Sequence, residues 1–385
     1  MLAPQPFFEP RGTPLSILGR LRAVSELGHH VDLVTYHLGE EISIPNVVIH
    51  RTPQIRLIKT VRVGPSVTKF FLDVLLLAKA LCLLQRHRYD LLHTHEEASY
   101  FGVLLSKLFR TRHLYDMHSS LPQQLSNFQY SRSRLLIRLF ERLERWVITS
   151  SDAIITICPA LAEYVVAIHP QVRLEMIENV PSKTDTGPVS EEEVERLKNA
   201  YSVDGKKVVF YAGTLEPYQG IDLMISGAAH ILRRRKDVLF LLAGGTHRQV
   251  HDYQEQIEKL GLAPHFRLLG TRPAKEMPAA LQLSHVLTSP RVNGTNTPLK
   301  IYSYLQSGKP IVATEIRTHT QVLDANAALL VKPEPEAFAR GILSVLDDPI
   351  LAARLGEGAR KLVEARYGYK SILQKTEQAL NLALR

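Results

Sequence analysis

Short apolar runs alternate with amphipathic stretches along most of the chain. In the first half, runs with the character of strands occupy 90–95, 112–118, 152–158 and a segment near 172. A second series follows at 208–213, 238–245, 266–270, 285–290 and 310–314. Apolar runs this short, separated by helical patterns, are typical of parallel strands that helices cover on both faces. The pattern therefore predicts an α/β protein with two Rossmann-like, doubly wound units.

A polar stretch at 181–199 interrupts the periodicity between the two series. We expect an N-terminal domain over 1–182 and a second domain over 183–365, followed by an amphipathic helix in 366–385. Ligands of such sheets bind beyond the carboxyl ends of the strands, so we expect the two domains to face each other across a cleft. Only Met1–Ala3 precede the PQPFF segment, so the first strand is expected to be truncated.

The composition is that of a soluble globular protein, with 45% hydrophobic and 22% charged residues. The two cysteines, Cys82 and Cys158, cannot build a disulfide framework and lack metal-ligand spacing, which favours a reducing compartment such as the cytoplasm. The most membrane-like stretch begins at Lys69, but Asp73 and Lys79 interrupt it and it is too short to span a bilayer. The N-terminus lacks the basic and then apolar layout of a signal peptide.

An excess of basic residues gives a formal net charge of +9 and is partly concentrated in 132–148. Apolar residues there recur at helical spacing. The other faces carry Arg132, Arg134, Arg138, Arg142 and Arg145. Two interpretations remain open: the helix lies on anionic lipid at the inner face of a membrane, or it is solvated, with Glu141 and Glu144 pairing neighbouring arginines. No basic patch with interleaved aromatic residues appears, so nucleic acid is not expected as a partner.

The segment 289–314 has the pattern of a loop, a short helix and a buried strand. Thr297 is a suitable N-cap, and Pro298 suits the first helical position. With Lys300 in the first turn and Arg291 upstream, the free NH groups at the helix start favour an anion such as a phosphate. A capped surface helix is the alternative interpretation.

Polar loops follow strands or precede helices at the predicted functional edges. They are GTPL at 12–15, HTHEE at 93–97, MHSS at 117–120, GTLEPYQG at 213–220, GGTHR at 244–248 and NGTNTPLK at 293–300. The chain has no GxGxxG fingerprint, Walker lysine loop, nucleophilic serine elbow or Asp-x-Asp pair at a strand end, so hydride transfer, P-loop chemistry and acyl hydrolysis are disfavoured. His93 and His95 share one face of their strand, but without a third ligand nearby we expect no metal site.

The order of these motifs resembles the GT-B glycosyltransferases of family 4. FYAGTLEPYQGIDLMI, LFLLAGG, FRLLGTRPAKEMPAAL and TPLKIYSYLQSGKPIVAT follow one another as in the donor domain of that family. RGTPLSILGRLRAVSELGHHVDLVT, YDLLHTHEE and YDMHSSLP are similar to its N-terminal half. The resemblance implies a GT-B fold and transfer of a sugar from a nucleotide-diphosphate sugar with retention, usually without a metal. It also implies that the final helix braces the N-terminal domain.

Two glutamates that the family usually carries on the donor loop and helix are replaced here by Thr295 and Ser303. The PLK motif at 298–300 stands in place of the first glutamate signature, which indicates a subgroup of the family. We expect a lipid-linked, polysaccharide or other glycan-precursor acceptor. The missing glutamates leave a second hypothesis open, a non-catalytic sugar-nucleotide-binding subunit of a glycan assembly complex.

An arginine and a lysine that many members carry after the first donor-domain strand are replaced by Thr214 and Gln219. Lys300 and Arg291 are expected to restore the missing positive charge. A charge-assisted hydrogen bond from either is worth about 1.5–3 kcal/mol in a desolvated site. No metal or other cofactor is expected beside the nucleotide sugar.

The resemblance also implies the roles of individual side chains. His118 is expected to be the catalytic residue, positioned at the sugar and acceptor face. The donor is expected to contact Gly12, Gly213, Thr214, Gln219, Gly220, Arg291, Thr295, Asn296, Thr297, Pro298, Lys300 and Ser303. The acceptor side is expected to include Arg11, Thr13, His95 and Glu96.

Overall fold

The structure is a computed structural model that describes residues 1–9, 12–61, 66–122, 134–179 and 189–385. The chain divides into two compact units. Met1–Asn179 and Tyr369–Arg385 form the N-terminal unit, and Val180–Gly368 forms the C-terminal unit. Across the described helices, length and hydropathy together fall short of what a bilayer-spanning helix requires.

In the described part of the chain, the N-terminal unit has a seven-stranded parallel sheet. The strands are β1 (Leu2–Ala3), β2 (Val31–Thr35), β3 (Val47–Arg51), β4 (Leu91–His95), β5 (Arg112–Met117), β6 (Ala153–Thr156) and β7 (Leu174–Met176). The helices described before Asn179 are α1 (Gly12–Glu26), α2 (Val67–Arg86), α3 (Ala98–Phe109), α4 (Arg134–Ser150) and α5 (Pro159–Ile168). The strand order is β3-β2-β1-β4-β5-β6-β7, which reverses between β1 and β4. Doubly wound sheets bind ligands at such a reversal.

The C-terminal unit has a six-stranded parallel sheet among its described residues. The strands are β8 (Lys207–Ala212), β9 (Val238–Ala243), β10 (Phe266–Gly270), β11 (Val286–Ser289), β12 (Ile311–Thr314) and β13 (Leu329–Val331). The helices are α6 (Glu191–Tyr201), α7 (Ile221–Arg234), α8 (His247–Lys259), α9 (Met277–Leu283), α10 (Leu299–Ser307), α11 (Arg317–Thr320), α12 (Pro335–Asp347) and α13 (Pro349–Leu362). The strand order is β10-β9-β8-β11-β12-β13, which reverses between β8 and β11.

Burial on both faces explains why the strands are short, continuous apolar runs. Every residue of β6 and of β9 is buried, so neither strand needs polar residues at alternate positions. The apolar runs correctly predicted β4 to β12 and two Rossmann-like sheets. They did not predict β2, β3 or β13. β3 and β13 lie at sheet edges and are mostly half-buried, so their patterns are weaker.

The last helix, α14 (Tyr369–Leu384), belongs to the N-terminal unit. It packs on β5, β6 and β7 and beside α1. Its buried face includes Leu380, which lies in one apolar cluster with Ile155 and Ile177. Lys375 Nζ donates to Glu178 Oε2 at 2.6 Å, and this ion pair joins α14 to the chain that follows β7. The sheet of the N-terminal unit is therefore covered in part by the end of the chain.

Candidate active site

Two loops meet at the reversal of strand order in the C-terminal unit. The first site loop, residues 213–220, follows β8, and the second site loop, residues 290–298, follows β11. The backbone NH of Val292 donates to the Tyr218 carbonyl oxygen at 3.0 Å, which joins the two loops. They form one surface at the edge where sheets of this class bind ligands.

Helix α10 begins at the end of the second site loop. Pro298 is its N-cap (φ −65°, ψ 134°), and Leu299 is the first helical residue. The predicted Thr297 cap and first helical position of Pro298 are therefore wrong by one residue. Thr297 Oγ1 accepts instead from Gln321 Nε2 at 2.8 Å, a tertiary contact that holds the threonine away from the helix start. Because proline supplies no side-chain acceptor, the backbone NH groups of Leu299 and Lys300 can donate to a ligand, whereas the NH of Ile301 donates to the Pro298 carbonyl oxygen at 3.0 Å.

Lys300 projects from the first turn of α10 toward the first site loop. Its Nζ lies 3.6 Å from the centre of the Tyr211 ring and donates to Gln219 Oε1 at 3.3 Å. Gln219 Nε2 in turn donates to Thr214 Oγ1 at 3.4 Å. Although the Lys300 side chain keeps some exposed surface, burial and the neighbouring charge of Arg291 hold its pKa well below the usual value. An anion bound beside this amine would therefore stabilise its charged form.

Arg291 supplies a second cationic group in the second site loop. Its side chain is buried, one guanidinium nitrogen donates to the Asn296 carbonyl oxygen at 2.8 Å, and Cζ lies 5.0 Å from the centre of the Tyr218 ring. Burial lowers its pKa, and Nε has no hydrogen-bond partner among the described residues. Among the described residues, no carboxylate oxygen lies within 4.0 Å of a side-chain nitrogen of Arg291 or Lys300. A buried arginine and a partly buried lysine without a carboxylate partner among the described residues fit a ligand with at least two negative charges.

The last residue of β12 and the segment that follows it hold the second site loop through hydrogen bonds. Thr314 Oγ1 donates to the Arg291 carbonyl oxygen, and Gln321 Nε2 donates to the Thr295 carbonyl oxygen at 3.2 Å. His319 Nδ1 lies 2.8 Å from the Thr314 carbonyl oxygen, so this nitrogen carries the proton. Burial lowers the pKa of His319 to about 4, which keeps the ring neutral. The sequence analysis did not select Thr314, His319 or Gln321. The pattern that could have indicated them is three polar side chains within eight residues, starting at the end of a buried strand.

The C-terminal unit brings together the predicted donor-binding residues except Gly12. The first site loop carries Gly213, Thr214, Gln219 and Gly220, and the second carries Arg291, Thr295, Asn296, Thr297 and Pro298, while Lys300 and Ser303 lie on α10. Gly12 begins α1 in the N-terminal unit.

Gly220 gives a test of how closely the two loops must approach. It has φ +74°, and a Cβ on it would lie 2.0 Å from the Pro290 carbonyl oxygen. Gly220→Ala is therefore expected to push the loops apart and to lower the free energy of unfolding by about 2–4 kcal/mol. Gly261→Ala is the matched control, because Gly261 has φ +69° and no atom within 4 Å of the added Cβ. It is expected to cost only about 1 kcal/mol for the backbone strain.

Urea unfolding of the two alanine variants measures this difference, and titration with a nucleoside diphosphate shows whether the site itself is disturbed. Binding is expected to weaken for Gly220→Ala alone. Equal losses of stability and binding in both variants would show that loop contact is unimportant.

In the N-terminal unit, the reversal of strand order brings Thr13 next to Glu96. Thr13 Oγ1 donates to Glu96 Oε1 at 3.2 Å. Burial and the negative charge of Glu97 raise the pKa of Glu96 to about 7, so this carboxyl can exchange a proton near neutral pH. Gly12 precedes Thr13 with φ +47°. Arg11, the other predicted acceptor-side residue here, lies outside the described residues.

A buried polar cluster lies at the carboxyl ends of β4 and β5. This Asp116 cluster consists of Arg20, His93, His95, Asp116 and His118, each at most 5% exposed. Arg20 Nε donates to Asp116 Oδ2 at 2.9 Å, and His93 Nε2 lies 3.3 Å from the same oxygen. His118 Nε2 lies 3.3 Å from Asp116 Oδ1 and 3.0 Å from His95 Nδ1. Asp116 is therefore the common partner of the cluster, and it brings the predicted His118 and His95 together.

Burial sets the charge of the Asp116 cluster. It lowers the pKa of His93, lowers that of His118 to about 4, and holds that of His95 well below its usual value. Burial alone would raise the pKa of Asp116, but the charge of Arg20 and the contacts with His118, His93 and His95 together outweigh burial and hold this pKa well below the usual range. At neutral pH the cluster consists of three neutral imidazoles around one Arg–carboxylate ion pair.

The Asp116 cluster also has the spacing of a metal centre. One donor atom each from His93, His95 and Asp116 lies within 4.8 Å of the others. The expectation that no third ligand is near the two histidines is therefore wrong, because β5 supplies Asp116. Two imidazoles and a carboxylate suit zinc. Arg20, however, already compensates the carboxylate, and a dication beside this buried guanidinium would be repelled. Hydrogen bonding among the side chains accounts for the distances without an ion.

Sequence reasoning missed Arg20 and Asp116. The available signals were a carboxylate within a predicted strand, two residues before His118, and an arginine on the apolar face of α1. Neither signal identifies a partner, because the partners are distant in sequence.

Two parallel-sheet units of this kind constitute the GT-B fold class. A crystal structure of sucrose-phosphate synthase from Thermosynechococcus elongatus has a TM-score of 0.78 at 18% identity, covering 96% of this chain and 93% of that chain. Crystal structures of Anabaena HepE in complex with UDP and with UDP-glucose have a TM-score of 0.76 at 18% identity, covering 99% and 98% of the two chains. Similarity at this level of identity shows the fold.

Sequence comparison then finds that each unit is similar to a glycosyltransferase domain. Residues 12–180 match the Glycosyl transferase 4-like domain, and residues 193–362 match Glycosyl transferases group 1. Alpha-D-kanosaminyltransferase of Streptomyces kanamyceticus is 27% identical over 175 residues, which are 44% of this chain and 44% of the relative. The chain thus spans less than half the length of the curated relatives it matches. The two successive matches, to the Glycosyl transferase 4-like domain and to Glycosyl transferases group 1, together cover most of the chain.

Proposed function

We propose that the protein is a retaining glycosyltransferase that transfers a sugar from a nucleotide-diphosphate sugar to a lipid-linked, polysaccharide or other glycan-precursor acceptor. The observation that carries this proposal is the pair of cationic side chains, the partly buried Lys300 and the buried Arg291, at the reversal of strand order in the segment that matches Glycosyl transferases group 1. A diphosphate supplies the negative charge that this pair lacks. Binding of UDP and UDP-glucose by HepE, which has the same fold, supports this class of ligand.

The proposed donor contacts follow from the two site loops. The diphosphate accepts hydrogen bonds from the side chains of Lys300 and Arg291 and from the backbone NH groups of Leu299 and Lys300. Thr295 and Ser303 offer neutral hydroxyls to the sugar and ribose, where the resembling family carries glutamates. A neutral hydroxyl binds more weakly than a carboxylate, so donor affinity depends more strongly on the diphosphate contacts.

The same cations are proposed to assist the chemical step. Breaking the bond between the anomeric carbon and the diphosphate oxygen leaves more negative charge on the diphosphate. Lys300 and Arg291 stabilise that charge more strongly than they stabilise the intact donor, which lowers the barrier. His118 is proposed to hold a hydroxyl of the reacting sugar or acceptor.

A nucleotide-release assay with a panel of nucleotide sugars tests the function. We expect one donor to release its nucleoside diphosphate, and the anomeric configuration of the product, determined by NMR, to be that of the donor. Binding without release from any donor, with or without candidate acceptors, would favour a non-catalytic sugar-nucleotide-binding subunit. Failure to bind any nucleotide sugar would contradict both functions.

Metal removal is expected to leave turnover unchanged to within about twofold, because two protein cations supply the charge that a metal ion would otherwise provide. The measurement is nucleotide release after dialysis against EDTA, with the metal content of the sample checked. A loss of release that added Mg²⁺ or Mn²⁺ restores would contradict this expectation.

Helix α4 presents apolar and basic side chains to solvent together. Leu135 is 80% exposed and Leu139, one turn later, is 50% exposed. Arg138 and Arg142 are exposed on the same helix. This combination supports the proposal that α4 binds an anionic membrane surface, where a lipid-linked acceptor would be located.

Glu144 does not neutralise the arginines of α4. It is buried and accepts hydrogen bonds from Ser120 Oγ at 2.7 Å and Tyr164 Oη at 2.7 Å. Among the described residues, Glu144 therefore makes no ion pair with an arginine of α4. Glu141 is exposed on the same helix, and the solvated helix in which it pairs with a neighbouring arginine stays the alternative.

Reversing two charges on α4 is expected to weaken binding to anionic vesicles. Arg138→Glu with Arg142→Glu should lower the partition coefficient at least about tenfold, because each basic residue near an anionic surface contributes about 1 kcal/mol. The matched control is Arg233→Glu with Arg234→Glu, the same charge change on exposed positions of α7 in the other unit. Sedimentation with vesicles of anionic and neutral phospholipid, at low and high salt, measures the effect. Equal losses in both double variants would show that only net charge matters.

A further inference from the structure

The ammonium group of Lys300 meets the face of an aromatic ring in the C-terminal unit. Lys300 Nζ lies 3.6 Å from the centre of the Tyr211 ring, well inside the limit of about 6 Å for a cation–π contact. We propose that Tyr211 is a positioning residue that holds this ammonium group at the diphosphate site. The contact belongs to the protein without ligand, whereas its use in donor binding rests on the proposed function.

Tyr211 is itself fixed in place. It belongs to β8, is fully buried, and lies in one apolar cluster with Ile221 and Val286. Its Oη donates to the Thr214 carbonyl oxygen at 2.6 Å, which joins the ring to the first site loop. The ring therefore cannot turn its face away from Lys300 without losing this hydrogen bond and its packing.

The backbone of the first site loop passes close to the ring and the amine. A Cβ on Gly213 would lie 2.9 Å from Tyr211 Oη and 3.0 Å from Lys300 Nζ. A side chain at this position would displace one of the two groups, and glycine leaves both in place. The ring, the amine and the loop backbone are thus packed together at the end of β8.

A ring face differs from a carboxylate as the partner of a cation. Both stabilise the charged form of the amine, but the ring has no net charge. Among the described residues, Lys300 Nζ has one further polar partner, Gln219 Oε1 at 3.3 Å, and this amide oxygen is neutral as well. Lys300 is therefore held in position while its whole positive charge stays available to a diphosphate.

Fluorination of the ring tests the contact while the ring stays in place. Fluorine withdraws electron density from the face that binds a cation. The variants are Tyr211→Phe with ordinary, difluorinated or pentafluorinated phenylalanine, and the probe is inorganic pyrophosphate, which has a diphosphate and no base. Pyrophosphate affinity is expected to fall by about 5- to 30-fold from the ordinary to the pentafluorinated ring, with the difluorinated ring between them.

Phe210 provides the matched control. It is the neighbouring residue of β8, is equally buried, and lies in the other apolar cluster of this unit, with Leu239 and Ile301. The same fluorinated rings at position 210 should change pyrophosphate affinity less than about twofold, because successive side chains of a strand point to opposite faces. Equal losses at both positions, or an affinity that does not depend on fluorine at position 211, would overturn the proposal.

The protein without ligand gives a second readout. The ¹³Cε resonance of Lys300, assigned by its absence in Lys300→Ala, reports the charge of the amine during a pH titration. Burial and Arg291 already lower the pKa of this amine, and the pentafluorinated ring should lower that pKa further, because its face no longer stabilises the charged form. The same Lys300 pKa with all three rings would overturn the proposal.

Tyr211→Phe and Tyr211→Leu separate the ring from its hydroxyl. The phenylalanine variant keeps the ring face and loses only the donor to Thr214, so we expect the wild-type pyrophosphate affinity and the wild-type pKa of Lys300. The leucine variant removes the ring, and both quantities should fall. Losses as large in Tyr211→Phe as in Tyr211→Leu would show that Tyr211 only holds the loop, which overturns the proposal.

The pKa of Lys300 also separates this proposal from the proposed function. If pyrophosphate does not bind to the wild-type protein, the diphosphate site fails, while the pKa along the fluorinated series still decides whether the ring holds the ammonium group. That series decides it as well if Tyr211→Leu does not fold, because every member keeps an aromatic ring at position 211.

Discussion

Lys300→Ala is expected to weaken binding of a nucleoside diphosphate by about 10- to 150-fold, while binding of the free nucleoside changes less than about twofold. The larger loss corresponds to one charge-assisted hydrogen bond worth about 1.5–3 kcal/mol. Lys300 Nζ lies beside Gln219 and the Tyr211 ring with no carboxylate within 4.0 Å among the described residues. Its charge therefore acts on phosphate and has little effect on a neutral nucleoside.

Calorimetric titration of both ligands measures the two losses. Lys309→Ala is the matched control, because Lys309 follows the opposite end of α10 and burial also lowers its pKa. It should leave both affinities unchanged. Equal weakening of diphosphate and nucleoside by Lys300→Ala would show that the lysine maintains the loop and does not bind phosphate.

Proton uptake provides a second readout of the same residue. Burial and Arg291 hold the pKa of Lys300 well below its usual value in the free protein, and a bound diphosphate raises it. Diphosphate binding should therefore take up protons and weaken as pH rises through the pKa of the free site. Titrations in buffers of different ionisation enthalpy measure the uptake, which should be smaller for Lys300→Ala.

Strands were predictable where burial on both faces makes their sequence a continuous apolar run. β6 and β9 are buried over their full length, and apolar runs predicted both. β3 is different, because it is an edge strand that ends in His50 and Arg51. Its arginine donates to the Leu38 carbonyl oxygen at 2.8 Å, a contact that leaves no periodic signal in the sequence.

The loop and helix start that carry Arg291 and Lys300 were predictable because their pattern is local in the sequence. Arg291 and Lys300 flank one loop, and a helix start after a strand is a local pattern. The exact start of α10 was not predictable, since a side chain from the next segment, Gln321, binds Thr297. Local propensity favoured Thr297 as a cap, and the tertiary contact determined its actual role.

The Asp116 cluster could not be predicted for a related reason. The register of two parallel strands places His95 opposite Asp116, and α1 then adds Arg20. Each contact joins residues far apart in the chain. The sequence showed two histidines on one strand face, but their shared carboxylate becomes evident only when β4 and β5 are paired.

Deleting residues 369–385 is expected to unfold the N-terminal unit and abolish turnover, while binding of the nucleoside diphosphate weakens less than about threefold. Helix α14 buries Ala379, Leu380 and Ala383 against the sheet of that unit, in a cluster with Ile155 and Ile177. Removing one buried aliphatic side chain of leucine size costs about 2–5 kcal/mol, and a whole domain is stable by only about 5–15 kcal/mol. The cationic site loops and their core lie in the C-terminal unit, which the deletion leaves intact.

Hydrogen exchange resolved by peptide distinguishes the two units in the truncated protein, and calorimetry measures donor binding in the same sample. Leu380→Ala and Leu384→Ala form a matched pair within the helix, because Leu380 is 7% exposed and Leu384 is 44% exposed. Leu380→Ala should lower the free energy of unfolding of the N-terminal unit by about 2–4 kcal/mol, and Leu384→Ala by less than about 1 kcal/mol. If the truncated protein keeps the exchange protection of β5 and β6 and its turnover, α14 is an appendage and the N-terminal unit is stable without it. If diphosphate binding is lost together with that protection, the donor site depends on the N-terminal unit, and its assignment to the two site loops and α10 is incomplete.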